Sequence, residues 1–305
     1  MVVKYFETKT AQAGYHEREG YKDGCWTIVI SPTNDNLANL AEQFNLSATQ
    51  LAHVKDREEL PRLEFTDEAI YLFMRHAYLN SRGERETAPL LLVLCRETLL
   101  LILPRPFAQD FRTDKASRTL RGTTLQMIEH VLDQYSGYLD DVSHHIKALR
   151  RGLHNHEISN HDLVNFVTLE EDLNDFALSL EPLNAILQRL VLAHHFPLTA
   201  SEDELLADLI LKNQQLVSAC TSHLKSIESI RNAHGTIATN NLNRTIKFLT
   251  AATVLLNVPS VIFFALGMNI LVPYHNSPWA LPVIVGGAFI LTITVFLVFK
   301  RRRIF

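Results

Sequence analysis

Over roughly the first 110 residues the apolar positions fall into short continuous runs separated by turn-forming residues. "CWTIVIS" (25–31), "AIYLFMRHAYL" (69–79) and "PLLLVLCRETLLLILP" (89–104) are rich in β-branched, aromatic and leucine residues and predict strands. The last run predicts two strands turning near Arg96-Glu97, and the charged, glycine-bearing "NSRGERET" (80–87) predicts a hairpin loop. Between the first two runs, Thr33 or Asn34 precedes "LANLAEQF" and Ser47 precedes "TQLAHV", the signatures of two short capped helices. This part of the chain reads as an α/β domain.

From about Ser117 the period changes to three and four. Apolar residues at 125, 128, 131 or 132, 135, 139, 142, 146 and 149 predict a long amphipathic helix. A second helix is expected over about 160–195, with five acids concentrated in "LEEDLNDFALSLE" (169–181) and a break at Phe196-Pro197. Ser201, with Glu204 three residues on, reads as a capping box that opens a third helix. No proline follows until Pro259, so a helix from Ser201 to Leu266 is expected, on the order of 100 Å long. That length implies a coiled or bundled stalk. Gly235 inside it costs only ~1 kcal/mol.

The pattern changes again from Phe248 to Phe299, where there is not one Asp, Glu, Lys or Arg. Phe248–Leu266 is 19 residues, about 28 Å of helix, and Trp279–Phe299 is longer. Both match the ~30 Å hydrocarbon core of a bilayer, so two membrane spans are expected behind a large water-exposed region. Arg244 and Lys247 precede the first span, "KRRR" (300–303) follows the second, and the loop between has no basic residue. The positive-inside rule then puts both ends in the cytoplasm and the loop outside, with Trp279 as an interfacial anchor. The expected division is a cytosolic α/β domain at 1–116, a cytosolic helical stalk at 117–243 and a transmembrane hairpin with a basic tail at 244–305.

Composition narrows the function. The chain has 305 residues, is 47% apolar and carries a formal net charge of −4, which excludes a general nucleic-acid footprint. Cys25, Cys95 and Cys220 are far apart and odd in number, which fits a reducing compartment rather than a disulfide framework. The N-terminal stretch lacks a basic segment followed by an apolar one, so no cleaved signal peptide is expected. No GxxxxGK[ST], GxGxxG or HExxH occurs; neither an enzyme nor an organic cofactor is expected. His144, His145, His154, His156 and His161 cluster in the first stalk helices; His156 and His161 are five apart, a poor helical ligand spacing, so they are read as helix-surface and loop histidines, with a metal site as the alternative. The acidic run at 170–175 is read as a solvated face, with cation enrichment near a pore mouth as the alternative.

Inside the first span the polar residues keep helical spacing. Asn243, Lys247, Thr250, Thr253, Asn257 and Ser260 follow one another by 4, 3, 3, 4 and 3, with Gly267 seven further on. A carboxamide such as Asn257 at bilayer depth is costly unless it meets water or a polar partner. Such a stripe serves either helix packing or a wet channel. Two spans per chain cannot enclose a pore, so the channel reading requires a homo-oligomer.

"NRTIKFLTAATVLLNVPSVIFFALGMN" (243–269) resembles the CorA family of divalent-cation channels, which carry N-x-x-M-K-x-L-T, a mid-span proline and Y-G-M-N at the outer end. Asn243, Lys247, Leu249, Thr250, Gly267, Met268 and Asn269 match without a gap, and the surrounding plan agrees over nearly the whole chain. The resemblance implies a funnel-shaped homopentamer in the cell membrane that passes magnesium, or cobalt, passively inward. It implies Gly267, Met268 and Asn269 as the outer selectivity ring, with Asn269 acting through the ion's hydration water. Asn243, Ile246, Leu249, Thr250, Thr253, Asn257, Ser260 and Phe264 are the implied pore-lining residues.

Regulatory magnesium held between subunits by acids including Asp208 is also implied. Several positions depart from the family pattern. Leu266 replaces the usual Tyr, Ile270 the usual Phe, Asn257 stands where a hydrophobic constriction is common, and Asn80 falls where the partner of Asp208 is expected. Zinc transport of the related ZntB kind is the first alternative, although zinc favours His, Cys and carboxylate and the spans contain none. His275 in the loop is the one candidate ligand. A membrane-anchored scaffold or sensor that transports nothing is the second. Gly267 is expected to have either a positive φ or a close backbone approach.

Overall fold

The computed structural model describes residues 2–8, 15–80, 83–96, 98–107, 117, 119–154, 160–192, 196–268 and 278–301. The chain forms two compact units, Met1–Ile230 and Arg231–Phe305.

The first unit is built on a seven-stranded sheet: β1 (Val2–Thr8), β2 (Tyr15–Arg18), β3 (Trp26–Ile30), β4 (Arg62–Phe65), β5 (Ala69–Leu79), β6 (Arg85–Cys95) and β7 (Thr98–Leu103). Their order is β2-β1-β3-β7-β6-β5-β4, with β3 and β7 parallel and every other pair antiparallel. The continuous apolar runs of the sequence are explained by burial on both faces. Along β7, Leu99, Leu101 and Leu103 join one core while Leu100 and Ile102 join the other; Leu90/Leu92 against Leu91/Val93 do the same on β6. The strands absent from the sequence reading are β1, β2 and β4. β2 and β4 are four-residue edge strands carrying charges such as Arg18 and Glu64, a common protection against edge pairing.

One face of the sheet is covered by α1 (Asn34–Phe44) and α2 (Ala48–His53), through Leu37, Leu40, Ala41 and Leu51. Thr33 caps α1 in a reciprocal box with Asn36, and the Ser47 side chain accepts from Gln50 N–H at the start of α2. The other face is covered by α3 (Leu120–His154) and α4 (Asn160–Leu192), to which the first part of α5 (Ala200–Gly267) adds its apolar seam. Tyr135 of α3 is fully buried and its hydroxyl donates to the Arg75 carbonyl of β5 at 3.1 Å.

The start of α5 differs from the expected Ser201–Glu204 box by two residues. The Thr199 backbone N–H and hydroxyl both donate to the Glu202 carboxylate, at 2.8 and 2.9 Å, so the box is Thr199–Glu202. The choice between two equally good sequence patterns is made by a distant contact: the Thr119 hydroxyl, just before α3, also donates to Glu202. Burial pushes the Glu202 carboxyl upward, but hydrogen bonds from Thr119, Thr199 and Gly122 outweigh it and hold it below the usual carboxylate range. An added Cβ at Gly122 would collide with Ser117 Oγ and come within 2.8 Å of Glu202 Oε1.

The second unit contains the rest of α5, which includes Pro259, and α6 (Ala280–Arg301). Pro259 has no N–H, so the Leu255 carbonyl loses its helical donor. Both helices are long and apolar enough to cross a membrane, and only 6% of each apolar window is buried. Phe248, Leu256, Val261, Phe264, Leu281, Phe289 and Ile290 are all exposed, the surface expected to face lipid rather than water.

Candidate pore helix and its polar face

In the second unit α5 has two unlike faces. Ala251 is buried, and Ala252, Leu255, Val258, Pro259, Ile262 and Leu266 are half-buried, at spacings of one to four that keep to one side of the helix. Among the described residues of this unit the other element is α6, whose Ala288 is also buried. At ~100° per residue, the polar stripe lies about half a turn away from that covered face. Asn243, Ile246, Leu249, Thr250, Thr253, Asn257 and Phe264 are exposed, and Ser260 is half-buried. The stripe is therefore not the seam that holds the two helices of one chain together. Among the described residues of this unit nothing covers it.

Two hydroxyls on this face, and one beside it, have committed their protons. Thr253 Oγ1 donates to the Leu249 carbonyl and Ser260 Oγ to the Leu256 carbonyl, both at 2.8 Å, and Thr245 does the same to Asn241 at 3.0 Å. Such back-bonding is the usual way a hydroxyl satisfies its donor in a helix, and it leaves oxygen lone pairs facing out. After Glu228 the sequence has no Asp or Glu at all. The face therefore carries no fixed negative charge: it presents hydroxyl and carboxamide groups, with Lys247 at its inner end.

Gly267 is the last residue of α5 and Met268 beyond it is exposed. The expected positive φ or close approach at Gly267 is not found: its φ lies outside the left-handed region, and a Cβ there would meet nothing within 4 Å. Helix continuation sets its backbone, so the described residues give no steric reason for glycine. Asn269, Ile270, His275, Arg302 and Arg303 lie outside the described residues, as do Glu97 and His156.

The expected regulatory positions, Asp208 and Asn80, lie on different elements. Asp208 is on an exposed face of α5. Asn80 belongs to the β5–β6 hairpin, where its Nδ2 donates to Glu84 Oε2 at 2.8 Å and Glu86 Oε1 at 2.6 Å. There a carboxamide already bonds two acids, whose charges remain. Among the described residues no three His, Cys, Asp or Glu side chains are grouped to hold a metal. His144 and His145 are exposed on α3, and His145 Nδ1 lies 2.8 Å from the Asp141 carbonyl.

The acidic run at 170–175 is not wholly a solvated face. Glu171 and Asp175 are exposed, but Asp172 is buried and its Oδ2 lies 3.7 Å from Arg85 Nη1 of β6. Burial pushes the Asp172 carboxyl up to about 6, opposed by the Arg85 guanidinium. Arg85 also faces Asp141 at 3.6 Å and the Tyr138 ring at 5.9 Å. Nothing local in "LEEDLND" marks Asp172 for burial; the helical period that puts it beside Leu169, Leu173 and Phe176 is the signal that could have found it.

An α/β domain, a 68-residue helix running on from it and a second apolar helix give the plan of a membrane protein with two candidate spans. The family model for CorA-like Mg2+ transporter proteins matches residues 21–301, and the chain belongs to that family. It is 23% identical over 291 residues to the cobalt/magnesium transport protein CorA of Methanocaldococcus jannaschii, covering 90% of each chain. The complete structure of the CorA magnesium transporter from Methanocaldococcus jannaschii superposes with a TM-score of 0.84 at 17% identity, covering 99% of this chain and 98% of that one. The full-length CmaX protein gives 0.75 at 17% identity, covering 100% and 97%. The ZntB cytoplasmic domain from Vibrio parahaemolyticus gives 0.63 at 11% identity, covering 78% and 98%. The fold is shared with all three.

Proposed function

We propose that the chain is one subunit of a homopentameric channel that passes magnesium, and cobalt, down the electrochemical gradient into the cell. The observation that carries this reading is the polar stripe of α5, which faces away from the covered side of its own hairpin. Family membership and the curated cobalt/magnesium relative support the cargo.

Magnesium dehydrates reluctantly and keeps several waters. In this reading a ring of Asn269 carbonyl oxygens at the outer end hydrogen-bonds that water shell without stripping it. Thr250, Thr253, Asn257 and Ser260 offer further oxygens along the path, and an inside-negative potential favours entry by about 4.6 kcal/mol per 100 mV for a divalent ion. Ile246, Leu249 and Phe264 would narrow the path between these polar rings, with Asn243 at the inner end. The division at residues 116 and 243, cytoplasmic termini and regulation by magnesium at Asp208 belong to the same proposal. Asn80, neutral and already bonded to Glu84 and Glu86, makes that regulation weaker than a pair of acids would give.

The test is flux into liposomes containing only this protein, with magnesium, cobalt and zinc each followed by a fluorescent indicator. Magnesium entry that is lost in an assembled Asn269→Ala variant supports the reading. Zinc entry in place of magnesium would assign the ZntB-like activity, and no flux of any cation from a folded pentamer would leave a scaffold or sensor. Mass photometry in detergent reads the subunit number. A cysteine at Asn276 that reacts with an impermeant thiol reagent from outside intact cells supports the orientation.

A further inference from the structure

The second unit carries cations with no internal counter-charge. After Glu228 the sequence has no acidic side chain, so no carboxylate side chain of this unit can pair with Arg244 of α5 or with Lys300 and Arg301 of α6. All three cations are exposed. About 35 Å of helix separates Arg244 from Gly267, and about 30 Å separates Lys300 from Ala280. Each length matches one hydrocarbon thickness, so with both helices across a bilayer the three charges stand at the same membrane face.

The two sides of α6 differ. Ala288 is buried and Ile284, Thr292, Val295 and Phe299 are half-buried, at steps of four and three that mark the covered row. On the opposite side Ile290, Ile293 and Leu297 are exposed, and the same steps lead on from them to Lys300 and Arg301. An apolar strip about 10 Å long thus ends in two cations. That is the complement of an amphiphile with a negative head.

Arg244 adds an independent sign from the other helix. It lies off the polar stripe and continues the row of Ala251, Leu255 and Ile262, at steps of seven, four and seven. Those three positions are buried or half-buried, whereas the row is exposed at Arg244, at the level where α6 reaches its last turn. The negative end of the α6 dipole accounts for cations in that last turn. It does not account for a guanidinium at the same level on α5, where like charges repel. Positive charges gathered from two helices favour an anion among them.

We propose that this end of the hairpin holds one anionic phospholipid of the leaflet it faces. The headgroup phosphate sits among Arg244, Lys300 and Arg301, and an acyl chain runs along Leu297, Ile293 and Ile290. A phosphatidylcholine offers the same chains, but its ammonium offsets the attraction. Free phosphate supplies the charge and leaves the apolar strip unused. The inference rests on the membrane placement of α5 and α6 and not on the pore reading.

The full-length protein is melted in neutral-detergent micelles containing rising mole fractions of phosphatidylglycerol or of phosphatidylcholine with the same chains. Native mass spectrometry of the same samples counts retained lipid. Phosphatidylglycerol should raise the melting temperature saturably and stay bound, and phosphatidylcholine should do neither. At about 1 kcal/mol per cation, Arg244→Gln should raise the half-saturating mole fraction about fivefold, and Lys300→Gln with Arg301→Gln about thirtyfold. Arg244→Lys should retain most of the binding. Lys225→Gln, an exposed position of α5 in the first unit, should change nothing. Equal retention of the two lipids, or an effect of Lys225→Gln as large as that of Arg244→Gln, overturns the proposal. Displacement of phosphatidylglycerol by an equal concentration of inorganic phosphate overturns it as well. The outcome is independent of whether the protein conducts ions.

Discussion

The two halves of α5 obey one geometry and opposite chemistry. From Ala200 to Ile230 the exceptional residues are apolar: Leu206, Leu209, Leu216, Cys220, Ile227 and Ile230 are buried at steps of three, four and seven on an otherwise polar helix. From Phe248 to Gly267 the exceptional residues are polar, at the same steps, on an otherwise apolar helix. In water the stripe that differs is the one hidden, because burial removes apolar area from solvent. In the second unit the stripe that differs is the one left uncovered, while small residues such as Ala251 sit in the covered face. The period of a pattern identifies the helix; the surroundings decide what the pattern means.

The largest test of this contrast is a pair of matched truncations. Leu209→Ala, at a position 1% exposed, should cost about 2–5 kcal/mol. Leu256→Ala, 71% exposed, should stay within about 0.5 kcal/mol. Thermal melts of both in detergent read the difference. Equal losses would mean that Leu256 is packed in the assembled protein and that the outward faces of the second half have been misread.

Next comes Asn257→Leu, which should lower magnesium flux about tenfold, roughly 1.4 kcal/mol on the barrier, with the melting temperature unchanged. Unchanged flux would place Asn257 away from the ion. A large drop in melting temperature with flux intact would make the stripe a contact between subunits.

All carboxylate side chains precede residue 229, so acid sensitivity of stability should come from the first unit. Glu202→Gln should cost about 1 kcal/mol by weakening the shared cap of α5. Because the Glu202 carboxyl is held below its ordinary value, its contribution is present above the unfolded-state value and is lost as pH falls through the lower folded-state one. The variant should therefore melt lower than the parent at pH 7 and converge with it at strongly acid pH. Divergence that persists in acid would show that the charge is not what matters.

Asp172 gives the smallest effect and the opposite sign. A carboxyl pushed up to about 6 contributes stability fully below the unfolded Asp value of about 3.9 and loses it as pH rises through about 6. Asp172→Asn should raise the melting temperature at pH 7.5 by about 2 °C, roughly 1 kcal/mol, and give no gain at pH 4. A loss at pH 7.5 would show that the Arg85 ion pair outweighs burial.

The sequence made some of this plain and hid the rest for physical reasons. β3, β5, β6 and β7 could be read because they are buried on both faces and so form unbroken apolar runs. β1, β2 and β4 could not, because partly exposed strands at or near an edge keep mixed composition. Thr33 and Ser47 were readable as caps because a cap is local. The start of α5 was misread by two residues because the deciding partner, Thr119, is 83 positions away in the chain. Asp172 was misread likewise, since Arg85 belongs to a strand far from it in sequence. In the candidate site, periodicity alone revealed the stripe. It could not say that the opposite face is covered, nor that Gly267 lacks a tight surrounding among the described residues.

The back-bonded hydroxyls of Thr253 and Ser260 carry one more consequence. Water around a cation turns its oxygens inward and its hydrogens outward, whereas water around an anion presents oxygens outward that seek hydrogens. With their protons already spent on the Leu249 and Leu256 carbonyls, these two hydroxyls have lone pairs to give and no hydrogens. At those two positions a passage would favour hydrated magnesium over hydrated chloride without a fixed negative charge, while the amides of Asn243 and Asn257 offer hydrogens as well as oxygens.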